Sequence, residues 1–142
     1  MTVVRIDQGM AAAAAQALPG KVDKELRTRY RQLRVMLHTA GLAATYAFIA
    51  SKAKDPDDSA EPAERDKLAA AYRDAGNGIL SRLSGLSLLS ADPEQMSARD
   101  VMRELGRMNP IQYARASAEA SAFAGWLSRL ADAVYQEGDA DA

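Results

Sequence analysis

NPIQYARASAEASAFAGWLSRLADAVYQ, residues 109–136, is the stretch that decides the fold. Asn109 is a helix cap, Pro110 suits the first helical position, and Gln112 reaches back to the cap. Tyr113, Ala116, Ala120, Phe123, Leu127, Leu130 and Val134 then recur in alternating steps of 3 and 4. That spacing predicts one long amphipathic helix reaching about Gln136, with Gly138 ending it.

Working outward, the same 3-4 spacing recurs. Lys21 to His38 predicts a helix burying Leu26, Tyr30, Leu33 and Leu37. Leu42 to Lys52 predicts another, with Leu42, Tyr46, Phe48 and Ile49 inward. A helix from about Ala63 carries Leu68, Tyr72, Ala75, Ile79 and Leu83. Gly76 and Gly78 lie inside it, so a bend or a split near Asn77 is expected. Asp7 to Leu18 reads as a first helix capped by Asp7 and ended by Pro19-Gly20. Thr39-Ala40-Gly41 marks a kink or break. Asp92-Pro93 reads as a turn or cap. Ser97 to Asp100 resembles a capping box and opens a short helix to about Met108, with Val101, Leu105 and Met108 inward.

Composition agrees. Thirty of the 142 residues are alanine and eight are aromatic. Alanine is the best helix former, and Val and Ile, which strands prefer, are scarce. The expectation is an all-α chain: a compact bundle of about five to six helices with a long C-terminal helix. One domain is expected over residues 1–142, with a flexible acidic loop at about 53–62 and a disordered acidic tail at about 137–142.

Several functions are excluded. With no cysteine there is no disulfide, thiolate metal site or Cys nucleophile. With one histidine, His38, no multi-histidine metal site is available. No phosphate-cradling glycine loop or nucleophilic-serine motif occurs. The carboxylates gather in the loop and the tail, where nothing would hold an acid–base pair. No catalytic residue, metal ligand or cofactor is therefore expected. No apolar run reaches the length of a membrane span and no signal peptide is read, so a soluble intracellular protein is expected.

The net charge of −1 argues against a dedicated nucleic-acid binder, but the charge is uneven. Lys21 to Lys54 holds eight cations and two anions; Asp55 to Asp66 holds six anions and one cation; residues 131–142 hold four anions. Arg27, Arg31 and Arg34 form a cationic ridge beside the apolar stripe of their helix. Such a ridge is either a solvated face or a surface for an anion: RNA phosphate, an acidic partner, or the chain's own loop or tail. Trp126 falls off the stripe of the last helix, one turn before Arg129. A cation–π contact between them is expected, at a core edge or at a partner interface. His38 reads as a structural or surface residue.

Two segments carry a resemblance. Leu37 to Lys52 (LHTAGLAATYAFIASK) resembles the "I-x-x-x-G-L-x-x-x-x-A-F-x-x-S-K" block of the small-subunit family of type III-B CRISPR RNA-guided complexes, the fifth Cmr family. Tyr113, Ala116-Ser117, Glu119-Ala120 and Trp126 to Ala131 resemble its C-terminal block. Tyr72 fits the helix between them. The resemblance spans about Lys21 to Val134. It implies a small, all-helical, cytoplasmic subunit without enzymatic activity. Copies would stack on one another beside the backbone and large subunits of the Cmr complex. They would line the groove holding the guide RNA–target RNA duplex or the target-RNA backbone. Arg27, Arg31, Arg34, Lys52 and Lys54 would then meet phosphate, and Trp126 with Arg129 a partner. The alternative is a helical protein–protein module with no nucleic-acid role. A duplex-DNA regulator is weaker, for want of a helix-turn-helix pair.

Overall fold

The structure, a computed structural model, describes residues 2–55 and 61–135. These form six α-helices and a short 3₁₀ turn at Pro93–Gln95: α1 (Thr2–Ala17), α2 (Lys24–Ala40), α3 (Leu42–Lys54), α4 (Pro62–Gly85), α5 (Ala98–Arg107) and α6 (Pro110–Val134). No strand occurs among the described residues. The chain is an all-α bundle, as its spacing predicts.

The helix ends follow from local chemistry. Asp23 caps α2 by accepting the Leu26 N–H at 2.9 Å, so α2 begins at Lys24 rather than Lys21. Gly41, at φ +95°, breaks α2 from α3 in a single residue, a conformation glycine adopts freely. Both capping boxes form. Ser97 Oγ accepts the Asp100 N–H at 3.1 Å, and Asn109 Oδ1 accepts the Gln112 N–H at 2.8 Å. The Asp100 and Gln112 side chains return the bond to the cap N–H groups. Asp92 caps the 3₁₀ turn.

Other expectations also need correction. Helix α1 starts at Thr2, which leaves Asp7 inside it and not at its cap. Val3, Val4 and Ile6 lower helix propensity only slightly, and extending a helix already formed by the alanine run is easy. Helix α4 runs unbroken through Gly76, Asn77 and Gly78. Its glycines mark close approach instead of a break. A Cβ on Gly78 would stand 2.3 Å from Phe123 Cζ, and one on Gly76 3.1 Å from Ile49 Cγ2. Finally, Val134 is 48 % exposed. A strict 3-4 repeat averages 3.5 residues per turn and drifts about 20° per heptad against a 3.6-residue helix. The buried stripe of α6 therefore moves onto Ala124, Ser128 and Ala131, and Val134 rotates outward.

The acidic loop expected at 53–62 is shorter at both ends, because residues 53 and 54 finish α3 and Pro62 opens α4. The rest of that loop at 56–60, Gly138 and the tail at 137–142 lie outside the described residues.

Helix α6 is the spine. Helices α1, α2 and α4 pack directly on it, α3 packs along α4, and α5 rests on α3. Its Ala116, Ala120 and Ala124 are buried, which lets neighbouring backbones approach, while Phe123 and Leu127 fill the centre. Two blocks of the resemblance contribute framework. Gly41 offers no side-chain cap to α3, and the Tyr113 hydroxyl of α6 accepts the Ala43 N–H there at 3.0 Å. Glu119 of α6 pairs with Arg82 of α4 at 3.0 Å, both largely buried. These contacts tie α3 and α4 to α6.

Candidate nucleic-acid interface

Helix α2 buries Leu26, Tyr30, Leu33 and Leu37, and the ridge arginines come one residue later on its surface. Helix α6 runs antiparallel beside them. Arg27 meets the level of Asp132 and Tyr135, and Arg34 meets that of Gly125. One carboxylate oxygen, Asp132 Oδ1, lies 3.5 Å from Arg27 Nε and 3.0 Å from Arg31 Nη2. The Arg27 guanidinium also sits over the Tyr135 ring, 4.4 Å from its centre. The anion beside the first two arginines is thus the chain's own, from the end of α6.

From Asp132 onward an open groove of about 870 Å³ lies between the two helices. Arg31, Arg34, His38, Trp126, Arg129 and Asp132 line it, over a floor that includes Ala122 and Gly125. A Cβ on Gly125 would stand 4.0 Å from Arg34 Nε, so Arg34 lies across the α6 backbone where no side chain projects. Arg129 stands over Trp126, its guanidinium carbon 5.8 Å from the ring centre, as the i, i+3 spacing predicts. Neither Arg34 nor Arg129 has an acidic partner among the described residues.

A shallower groove lies on the other side of α2, between Thr28, Arg31, Val35, Thr39 and Phe48. Lys52 extends along this side, 5.6 Å from the Phe48 ring centre. Arg31 and Val35 border both grooves, and Val35 is 59 % exposed. Lys54 lies apart, beside Arg65 and Asp66 at the start of α4.

The structure therefore joins two sites that were read separately. Arg31 and Arg34, expected at phosphate, share one groove with Trp126 and Arg129, expected at a partner. Arg27 closes one end of it. Sequence reasoning missed Asp132, counted with the acidic tail, although it lies one helical turn past Arg129. It also missed His38 and Val35 as groove residues.

Among the described residues no group of histidines and carboxylates could hold a metal ion. Burial pushes the Tyr30, Tyr46 and Tyr72 hydroxyls up, so they stay protonated at neutral pH. Tyr72 accepts a hydrogen bond from Arg29 at 3.3 Å and meets Phe48 edge to face.

Compared with known proteins, the chain matches the family model described as CRISPR-associated protein (Cas_Cmr5) over residues 7–134. The chain belongs to the Cmr5 family. No curated protein and no solved structure matches it significantly. As a Cmr5-family chain it is a CRISPR-associated subunit that works among the other subunits of a Cmr complex. The match runs from within α1 to the end of α6, so both walls of the groove belong to the family's own extent. No helix among the described residues is long and apolar enough to cross a membrane.

Proposed function

We propose that this chain is a non-catalytic small subunit of a type III-B CRISPR effector complex. In this reading it stacks along the complex beside the backbone and large subunits and further copies of itself, and it lines the target-RNA groove with its α2–α6 face. One observation carries the reading: Arg31, Arg34, His38 and Arg129 converge on a single open groove in which Asp132 is the one acid among the described residues. Arg27 supports the groove from its end, and Lys52 beside Phe48 extends the basic surface toward α3, whereas Lys54 lies apart from it. Contacts of this kind hold the RNA backbone in place and carry no base sequence. The family's role as a structural small subunit suits a subunit without catalysis.

The experiment replaces Arg31, Arg34 and Arg129 together with alanine in the assembled complex. RNA binding should weaken for every sequence alike. The slope of log affinity against log salt should shrink by about 0.7 per lost phosphate contact, roughly 2 for three.

A second reading, a protein-docking module without an RNA role, draws on Asp132 and Val35. The acid already neutralises part of the ridge, and an exposed aliphatic side chain stands in the middle of the face. Unchanged RNA affinity and slope, with a variant that fails to enter the complex, would select it.

A further inference from the structure

The groove holds more than a charge. Arg27 and Arg31 share the Asp132 carboxylate, whereas Arg34 and Arg129 have no acidic partner among the described residues. Those two flank the chain's single tryptophan. Arg34 reaches over Gly125, Trp126 follows in the chain, and Arg129 lies one turn further along α6 with its guanidinium over the indole, 5.8 Å from the ring centre, so a base stacks there only as Arg129 swings off the ring to the neighbouring phosphate. Trp126 is half-buried, anchored by its packing on the core, yet its side chain lines the groove. Ala122 and Gly125 leave room beside the indole, and a groove of about 870 Å³ is large enough for a nucleotide.

An aromatic face flanked by cations is the arrangement that holds unpaired nucleic acid: the ring stacks on a base while the cations hold the backbone. A duplex cannot use it along its length, because every base inside its ends is already covered on both faces. We propose that the groove seats an unpaired nucleotide of single-stranded RNA, its base stacked on Trp126 and its flanking phosphates on Arg34 and Arg129. The inference rests on the reading that this face meets RNA, and it decides between paired and unpaired strands as the occupant.

The lone tryptophan is its own reporter. The full chain is titrated at low salt with a short oligouridylate, with duplex RNA of equal length and with inorganic polyphosphate, following tryptophan fluorescence. Saturable quenching by oligouridylate alone is expected. By anisotropy of labelled oligouridylate, Arg34→Ala with Arg129→Ala should weaken binding about tenfold, and so should Trp126→Leu. Trp126→Phe, which keeps an aromatic face and disturbs packing less, should lose only part of the affinity. Arg103→Ala, an exposed arginine on α5 outside the groove, should have little effect.

Equal quenching by duplex or polyphosphate would overturn the proposal in favour of a plain electrostatic surface. Absence of quenching by all three would overturn it as well. A Trp126→Leu chain that binds oligouridylate normally but fails to enter the complex would make the groove a protein-docking face. If the triple arginine variant loses RNA in the assembled complex while Trp126 reports no stacking, this inference falls and the RNA-facing reading stands. If neither responds, both fall.

Discussion

Gly78→Ala sets two effects of opposite sign against each other at one position. Gly78 lies in the interior of α4, where alanine is favoured over glycine by about 1 kcal/mol in propensity. The added Cβ would stand 2.3 Å from Phe123 Cζ and 2.6 Å from Cε2. Phe123 is fully buried, so its ring has no solvent to retreat into and α4 and α6 must separate. Overpacking a core costs about 1–3 kcal/mol, and an overlap this severe belongs at the upper end. The net loss is about 2 kcal/mol, or roughly 8 °C in Tm for a chain of this size. Equilibrium urea unfolding measures it, provided the m-value stays constant. Two glycines calibrate the series. Gly106→Ala meets nothing within 4 Å and should stabilise α5 by up to about 0.5 kcal/mol. Gly76→Ala, 3.1 Å from Ile49 Cγ2, should fall between the two. Phe123→Leu should recover part of the loss in the Gly78→Ala background, with a coupling of about 1 kcal/mol. A Gly78→Ala chain as stable as its parent, or zero coupling to Phe123, would refute the close-approach account of α4.

Two further tests address the caps. Tyr113→Phe removes the acceptor of the Ala43 N–H and should cost about 1 kcal/mol by urea unfolding, although the two residues are 70 apart in the chain. Asp23 links stability to acid. Burial alone would raise its carboxyl, but hydrogen bonds from Lys67 and the Leu26 N–H outweigh burial and hold it below the ordinary 3.8. The stabilisation is therefore complete above about pH 3.8 and is lost as pH falls through the lower folded-state value. Asp23→Asn keeps the cap but not the charge, so its stability should decline less steeply below that pH. Some slope should remain, because hydrogen bonds from Ser97 and Ser90 also hold Asp100 and Glu104 low.

The helices and caps were legible because their signals are local. Asn109-Pro110-Ile111-Gln112 and Ser97-Ala98-Arg99-Asp100 each place a donor and an acceptor three residues apart, and the structure forms both boxes. Gly76 and Gly78 were misread because propensity sees one helix at a time, whereas their reason lies on α3 and α6. Val134 was misread because a repeat of 3.5 is true of a seam and drifts on a straight helix. The ridge on α2 was visible as spacing. Its neighbours were not: only the antiparallel seating of α6 brings Asp132 to Arg31 and sets Trp126 and Arg129 across from Arg34.

The central claim is that the α2–α6 face lies against RNA in the assembled complex, and Val35 is placed to test it. It borders both grooves and is 59 % exposed, so a photoreactive benzoylphenylalanine there disturbs little of the core. The complex carrying this residue is loaded with labelled target RNA and irradiated. Ile111, 74 % exposed at the opposite end of α6, serves as the control position. The account predicts that the subunit takes up RNA label from position 35 and little or none from position 111. Crosslinks from position 35 to protein subunits alone, with RNA label absent, would contradict it.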